Sequence, residues 1–317
     1  MKHLVTTAVL GIGLLSTSVL HAEANSSIQT VVSGSAHEAL YAVAFDGDKG
    51  IAVGLPGAIS NTADGGKTWK LVDPAPTDLA LLGVSLKGEH ALAVGQQGLV
   101  LKREGETWKK ADTGTDSRLF SVSVNSKGHA VAVGAFGTML SSDDGGASWK
   151  SIAPKDWSAY VAEGEPSIYA ASIDEANVIT VAGEFGLILR SSNDGGAWAS
   201  LHKGEASLFA MNLGDNGVGY AVGQEGTVLR SGDGGATWTQ IDAGTKAILL
   251  GVHTAANQKV IVSGMREMRV SSDDGKTWTG VSGGDVNTAW YQGVGVPTGG
   301  TSVLAVGQSG RILRIGM

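Results

Sequence analysis

The stretch AVGQEGTVLRSGDGGATW, Ala221 to Trp238, decides how this chain folds, because nearly all of it recurs along the sequence. Its first half returns as AVGLPGAIS, AVGQQGLVLK, AVGAFGTMLS, VAGEFGLILR, VSGMREMRVS and AVGQSGRILR, which makes seven copies. Their first glycines, Gly54, Gly95, Gly134, Gly183, Gly223, Gly264 and Gly307, stand 41, 39, 49, 40, 41 and 43 residues apart. A period of about 40 residues is that of one four-stranded propeller blade. Working outward, each copy reads as strand, hairpin, strand, Asp-containing turn, strand. The Val-Gly-x-x-Gly element closes a hairpin in two residues, with glycine expected to supply the positive φ of such turns.

The second half carries an aspartate placed to accept backbone N–H groups inside the turn, and a tryptophan entering the next strand to pack between blades. Asp64, Asp144, Asp194, Asp233 and Asp274 are assigned to these turns, and Trp69, Trp149, Trp198, Trp238 and Trp278 to the strands that follow. Trp108, in the degraded REGETW, holds the same place. The 48 glycines against six prolines, with no long amphipathic period, agree with many short strands and tight turns. The expected fold is all-β, a seven-bladed β-propeller with four-stranded blades, spanning residues 25–317.

Residues 1–24 read differently. Lys2 is followed by an apolar stretch from Leu4 to Leu20 and by Ala22-Glu23-Ala24, the build of a secretory signal peptide cleaved after Ala22 or Ala24. The expected location is therefore the periplasm, or outside the cell. The chain has no cysteine, so no disulfide framework, lipid attachment or thiolate metal site is expected. The formal charge of −7 speaks against nucleic acid as a partner and leaves proteins or glycans.

The Ser/Thr-x-Asp-Gly-Gly-x-Thr/Ser-Trp element is the Asp box, or BNR repeat, found in sialidases, sortilin-type receptors and some glucanases. Joined to AVG-x-x-G-x-(I/V)-L-R, as in Ala221 to Trp238, it resembles the photosystem II stability and assembly factor family and its bacterial relatives, over nearly all of residues 28–317. That resemblance implies an exported, non-catalytic propeller that binds protein partners and helps assemble a membrane protein complex. The acidic balance departs from the photosynthetic members.

The seventh repeat ends at GRILRIGM without an Asp-containing turn, so it lacks a fourth strand. The β-branched run SSIQTVVSGS, Ser26 to Ser35, is expected to supply that strand and close the ring, leaving no exposed end blade. A monomer is expected.

Chemistry is sparse. The arginine motif of sialidases is missing, no EF-hand spacing or phosphate loop occurs, and most of the acids belong to turns; no catalytic residue, cofactor or metal is assigned. A glycan-binding or glycoside-hydrolase propeller is the alternative, requiring two carboxylates that converge in the central cavity. Candidate partner-binding residues are of three kinds. Arg190 and Arg230, with Arg314 and Lys102 in the same repeat position, can form a basic patch. Phe136, Phe185, Met265 and Arg266 stand at hairpin tips. Trp157 and Tyr160 lie in PKDWSAYVAEGEP, the insertion that lengthens one repeat, placed on the same face as the hairpins.

Overall fold

A computed structural model describes residues 27–316 except 215, 256–257, 298–299 and 301. The signal-peptide reading of residues 1–24 lies outside the described residues. Seven antiparallel four-stranded sheets follow one another around a central channel. Blade two shows the pattern: Leu81–Lys87 innermost, then His90–Gly95, Val100–Glu104 and Thr107–Ala111 outermost. The last blade runs Ile28–Val32, Ile312–Gly316, Ser302–Gly307, Tyr291–Gly295 from rim to channel, so the N-terminal strand closes the ring. It lies antiparallel to the C-terminal strand, with Ile28 opposite Ile315 and Thr30 opposite Leu313.

A blade buries both faces, so its middle strands are apolar throughout rather than alternating. Ala91, Leu92, Ala93 and Val94 are all within 1% of complete burial. The core is accordingly divided into seven clusters, each shared by two adjacent blades. Trp69, Trp108, Trp149, Trp198, Trp238 and Trp278 each pack, partly buried, against the interface with the preceding blade. The interface of blades six and seven has Ile28 of the closing strand among its partly buried side chains.

The Asp-containing turns are closed by their own side chains. In blade three the Asp144 carboxylate accepts the Ala147 and Ser148 N–H groups at 2.9 Å and the Ser148 hydroxyl at 2.6 Å, while Ser142 Oγ accepts Gly146 N–H. The Ser148 hydroxyl and N–H hold the Asp144 carboxyl well below the usual range. Thr68 does the same for Asp64, and Thr237 holds Asp233 at about 2.

Two turns correct the sequence assignment. Asn193, not Asp194, accepts the Ser191 hydroxyl and the Ala197 N–H in blade four. In blade six Asp273, not Asp274, accepts the Thr277 N–H and hydroxyl. Asp194 and Asp274 occupy the place of the first glycine, with φ of +54° and +61°. The reason is spacing: the side chain must stand five residues before the tryptophan to reach the N–H groups that follow it, and only Asn193 and Asp273 do.

The hairpins also differ from expectation. The first glycine of Val-Gly-x-x-Gly is extended, with φ of −168° at Gly95 and −165° at Gly183. The positive φ falls on the second glycine and on the residue before it, Gln97 at +56° and Gly98 at +63° in blade two. The first glycine is required by close approach instead: a Cβ on Gly95 would sit 2.1 Å from the Ala80 carbonyl oxygen. That carbonyl lies just before the innermost strand, where the channel is shaped.

Candidate functional site at the channel mouth

Every innermost strand skips one residue in its pairing. In blade three Leu119 faces Gly134 and Ser121 faces Val133, leaving Phe120 unpaired. The same bulge leaves out Tyr41, Leu82, Tyr169, Phe209, Leu250 and Gln292 in the other blades. A bulge re-aims its extra side chain. All seven line one cavity of about 530 Å³ at the channel end that also carries the hairpins Leu55–Pro56 and Gln96. Six of the seven are apolar or aromatic, and the aromatics crowd one side. Phe120 and Tyr169 have ring centroids 5.2 Å apart, Tyr169 and Phe209 5.1 Å. On the far side Tyr41 stacks on Trp290 at 5.7 Å.

The innermost strands are sheet edges, and side chains of neighbouring blades satisfy their free N–H groups. Ser85 Oγ accepts Val124 N–H, Ser123 Oγ accepts Ile173 N–H, and Asn212 Oδ1 accepts Thr254 N–H. The wall below the mouth is thereby fixed. The mouth itself is clipped by the hairpins: Gln96, Glu184 and Gln224 accept the N–H groups of Ala80, Ser167 and Ser207. Glu184 also accepts the Tyr169 hydroxyl at 3.2 Å. Burial, then the Glu184 charge, pushes the Tyr169 hydroxyl up, so it stays protonated as a donor. Arg118 and Asp78 are the charged residues lining the cavity.

Outside the ring, Phe136 and Phe185 stand at the tips of the hairpins of blades three and four, 73% and 47% exposed. Both have positive φ, +51° and +57°, a conformation that disfavours a bulky residue. They cap the same sector that carries Phe120, Tyr169 and Phe209. Met265, 44% exposed, and Arg266 occupy the blade six hairpin.

The other candidates go elsewhere. Trp157 is only 6% exposed, packed with Val161 and Ile168 in the core between blades three and four. Asp156 starts its 3-10 turn by accepting Ser158 N–H. Tyr160 meets Trp157 edge-on at 6.2 Å, and its hydroxyl donates to the Trp198 carbonyl at 3.1 Å. The insertion therefore folds back as a cover instead of offering its aromatics outward, because two large apolar rings on one 3-10 turn bury each other. The cations of the third strands act between blades: Arg190 donates to the Gly234 carbonyl, Arg314 to that of Gly65 and Lys102 to that of Asp144. Arg230 pairs with Asp274. Burial alone would push the Asp274 carboxyl up, but hydrogen bonds from Arg230 and the Tyr220 hydroxyl outweigh it and lower it. These cations lie at the Asp-turn end, clasping blades two, four, five and seven each to the next, and do not meet the aromatic ring.

Sequence reasoning missed the ring. Its signal is the residue after the buried Leu or Ile of each first strand, in LYAV, LFSV, IYAA and LFAM, visible only when the seven copies are aligned.

No curated protein matches the chain in sequence. Residues 102–206 match the family described as photosynthesis system II assembly factor YCF48. Among solved structures, "YCF48 bound to D1 peptide" is 18% identical with a TM-score of 0.68, covering 92% of this chain and 96% of that one. YCF48 from Cyanidioschyzon merolae is 18% identical at a TM-score of 0.70, over 91% and 98%. The GH74 xyloglucanase from Xanthomonas campestris is 15% identical at 0.69, covering 90% of this chain but 53% of the enzyme. The chain folds as a seven-bladed β-propeller, and over residues 102–206 it is similar to the photosystem II assembly factor family YCF48.

Proposed function

We propose that this protein is an exported, non-catalytic scaffold that holds an extended segment of a protein partner over the channel mouth and so assists assembly of a membrane protein complex. The observation that carries this reading is the ring of seven bulge side chains: a fixed, largely apolar cavity with an aromatic wall is the kind of pocket in which anchoring side chains of a partner bury. The similar fold of YCF48, solved with a D1 peptide, supports a peptide as the class of ligand. Export rests on the apolar stretch from Leu4 to Leu20 and the Ala22-Glu23-Ala24 site.

The likeness to a xyloglucanase gives a second reading, since aromatic walls also stack on sugars. Hydrolysis would need two carboxylates flanking the sugar. Of the residues lining the cavity Asp78 alone is a carboxylate, and Glu184 at its rim is engaged by Ser167 and Tyr169.

The test is affinity capture from membranes by the parent and by a Phe120→Ala, Phe209→Ala variant, with xyloglucan hydrolysis assayed alongside. The expected result is a membrane protein captured by the parent and lost by the variant at unchanged melting temperature. Capture unaffected by the variant, or sugar release by the parent, overturns the reading.

A further inference from the structure

The rim of the mouth is not neutral. From residue 113 to residue 227, the hairpins and the mouth-side stretches of the blade-to-blade connections carry Asp116, Glu163, Glu165, Glu184, Glu205 and Glu225 against Arg118 and Lys203, whereas Lys155 and Asp156 lie beside the blade four turn with Asp194. Lys203 is itself turned to the Ala159 carbonyl. Glu163, Glu165, Glu205 and Glu225 are exposed. The same arc of blades three to five holds Phe120, Tyr169 and Phe209 inside the mouth and the exposed Phe136 and Phe185 at its edge. An apolar, aromatic well thus sits inside a border that is most acidic on this side of the ring.

Two features say that this sector is built for an occupant. Phe136 holds a positive φ with its ring 73% exposed, and Phe185 does so half exposed, although glycine fills other positive-φ positions of the same hairpins. Three of the four ring aromatics also gather on the sector where the acidic border is densest, while Tyr41 stands on the rest of the ring with Leu82, Leu250 and Gln292.

We infer that the occupant is a cationic extended peptide, whose apolar or aromatic anchor enters between Phe120, Tyr169 and Phe209 while flanking Lys or Arg residues face the carboxylates of the border. The inference rests on the peptide-holding reading above and gives it a partner chemistry. Charge complementarity of this kind adds mainly to the association rate and to the choice between partners, and it weakens with salt.

The experiment is calorimetric titration of the full chain with three synthetic peptides of equal length: Phe-Leu flanked by lysines, Phe-Leu flanked by glutamates, and Ser-Ser flanked by lysines. The lysine-flanked Phe-Leu peptide is expected to bind about tenfold more tightly than either other at low salt, a difference of about 1.4 kcal/mol. Glu163→Gln, Glu165→Gln and Glu205→Gln together should erase its advantage over the glutamate peptide, and Phe136→Ala with Phe185→Ala its advantage over the serine peptide. Equal or tighter binding of the glutamate-flanked peptide overturns the cationic occupant while leaving the channel site standing. No binding of any Phe-Leu peptide, or displacement by a neutral xyloglucan oligosaccharide alone, overturns the occupant and the peptide reading together.

Discussion

The two ends of this propeller are made from the same seven repeats but use them differently. At one end the Asp-containing turns spend their polar groups inward. Asp144 closes its own loop, and Arg190, Arg314 and Lys102 reach the turn of the next blade. At the other end the hairpins anchor their backbones by glycine and then diverge in side chain: Pro56, Gln97, Phe136, Phe185, Glu225, Arg266 and Ser309 stand at one equivalent position. Where the turn is kept, in blades one and three to six, the first end repeats the same contacts because its residues close the turns and hold blades together. The second varies because its backbone is already held by the close approach of Gly95 and its equivalents, which frees the tips for recognition.

The comparison breaks most severely if the ring itself opens. Deleting residues 28–34 strips the outer strand from the last blade and removes Ile28, Val31 and Val32 from two interblade clusters, exposing the Ile312–Gly316 edge. A fall in melting temperature of about 10 °C or more, or aggregation seen by light scattering, is expected. A stable monomeric deletion variant would mean that the strand is dispensable.

Next comes the cover between blades three and four. Trp157→Ala empties a site that is 6% exposed and should lower the unfolding free energy by about 3 kcal/mol in denaturant titration, with peptide binding retained. Lost affinity at full stability would return the insertion to the recognition surface.

Acid acts on the channel wall and on the Asp-containing turns through different groups. Burial pushes the His253 imidazole, on the inner strand of blade six, down to about 4. Because its folded pKa lies below its unfolded value of about 6.5, its contribution is complete above that pH and is lost as the pH falls through about 4, on the order of 2 kcal/mol. The turn carboxylates act lower: Asp233 and Asp273, held at about 2 by Thr237 and Thr277, contribute above about 3.9 and lose that contribution as the pH falls through about 2. Melting temperature should therefore decline in two steps, and His253→Gln should flatten the upper one. A profile unchanged by that variant would place the upper step on other groups.

The smallest effect is the sharpest. Phe136→Gly at φ +51° should leave stability unchanged or raise it by about 1 kcal/mol, while weakening peptide binding. Destabilisation would show that the ring packs in solution after all.

The fold was legible because its causes repeat: seven hairpins at one period, and a last repeat one strand short, state the blades and their closure directly. The ring was not, because a bulge shifts register by one residue, and LYAVAF or LFSVSV taken alone reads as plain alternation. In NDGG and DDGK two residues compete for one capping role, and only counting back from Trp198 and Trp278 separates them. For Trp157 and Tyr160 the length of the insertion leaves a binding loop and a cover over the propeller equally open, because length says nothing about which way a 3-10 turn faces its rings.

The pairing of Ile28 with Ile315 also sets a clock. The strand synthesised near the beginning finds its partner only when the last segment has emerged, so the seventh blade is completed last in synthesis. Closing such a loop is slow relative to local hairpins, since its contacts are far apart in sequence. A chain of this design stays open at one seam until its C-terminal strand is available, and locks only when the two meet.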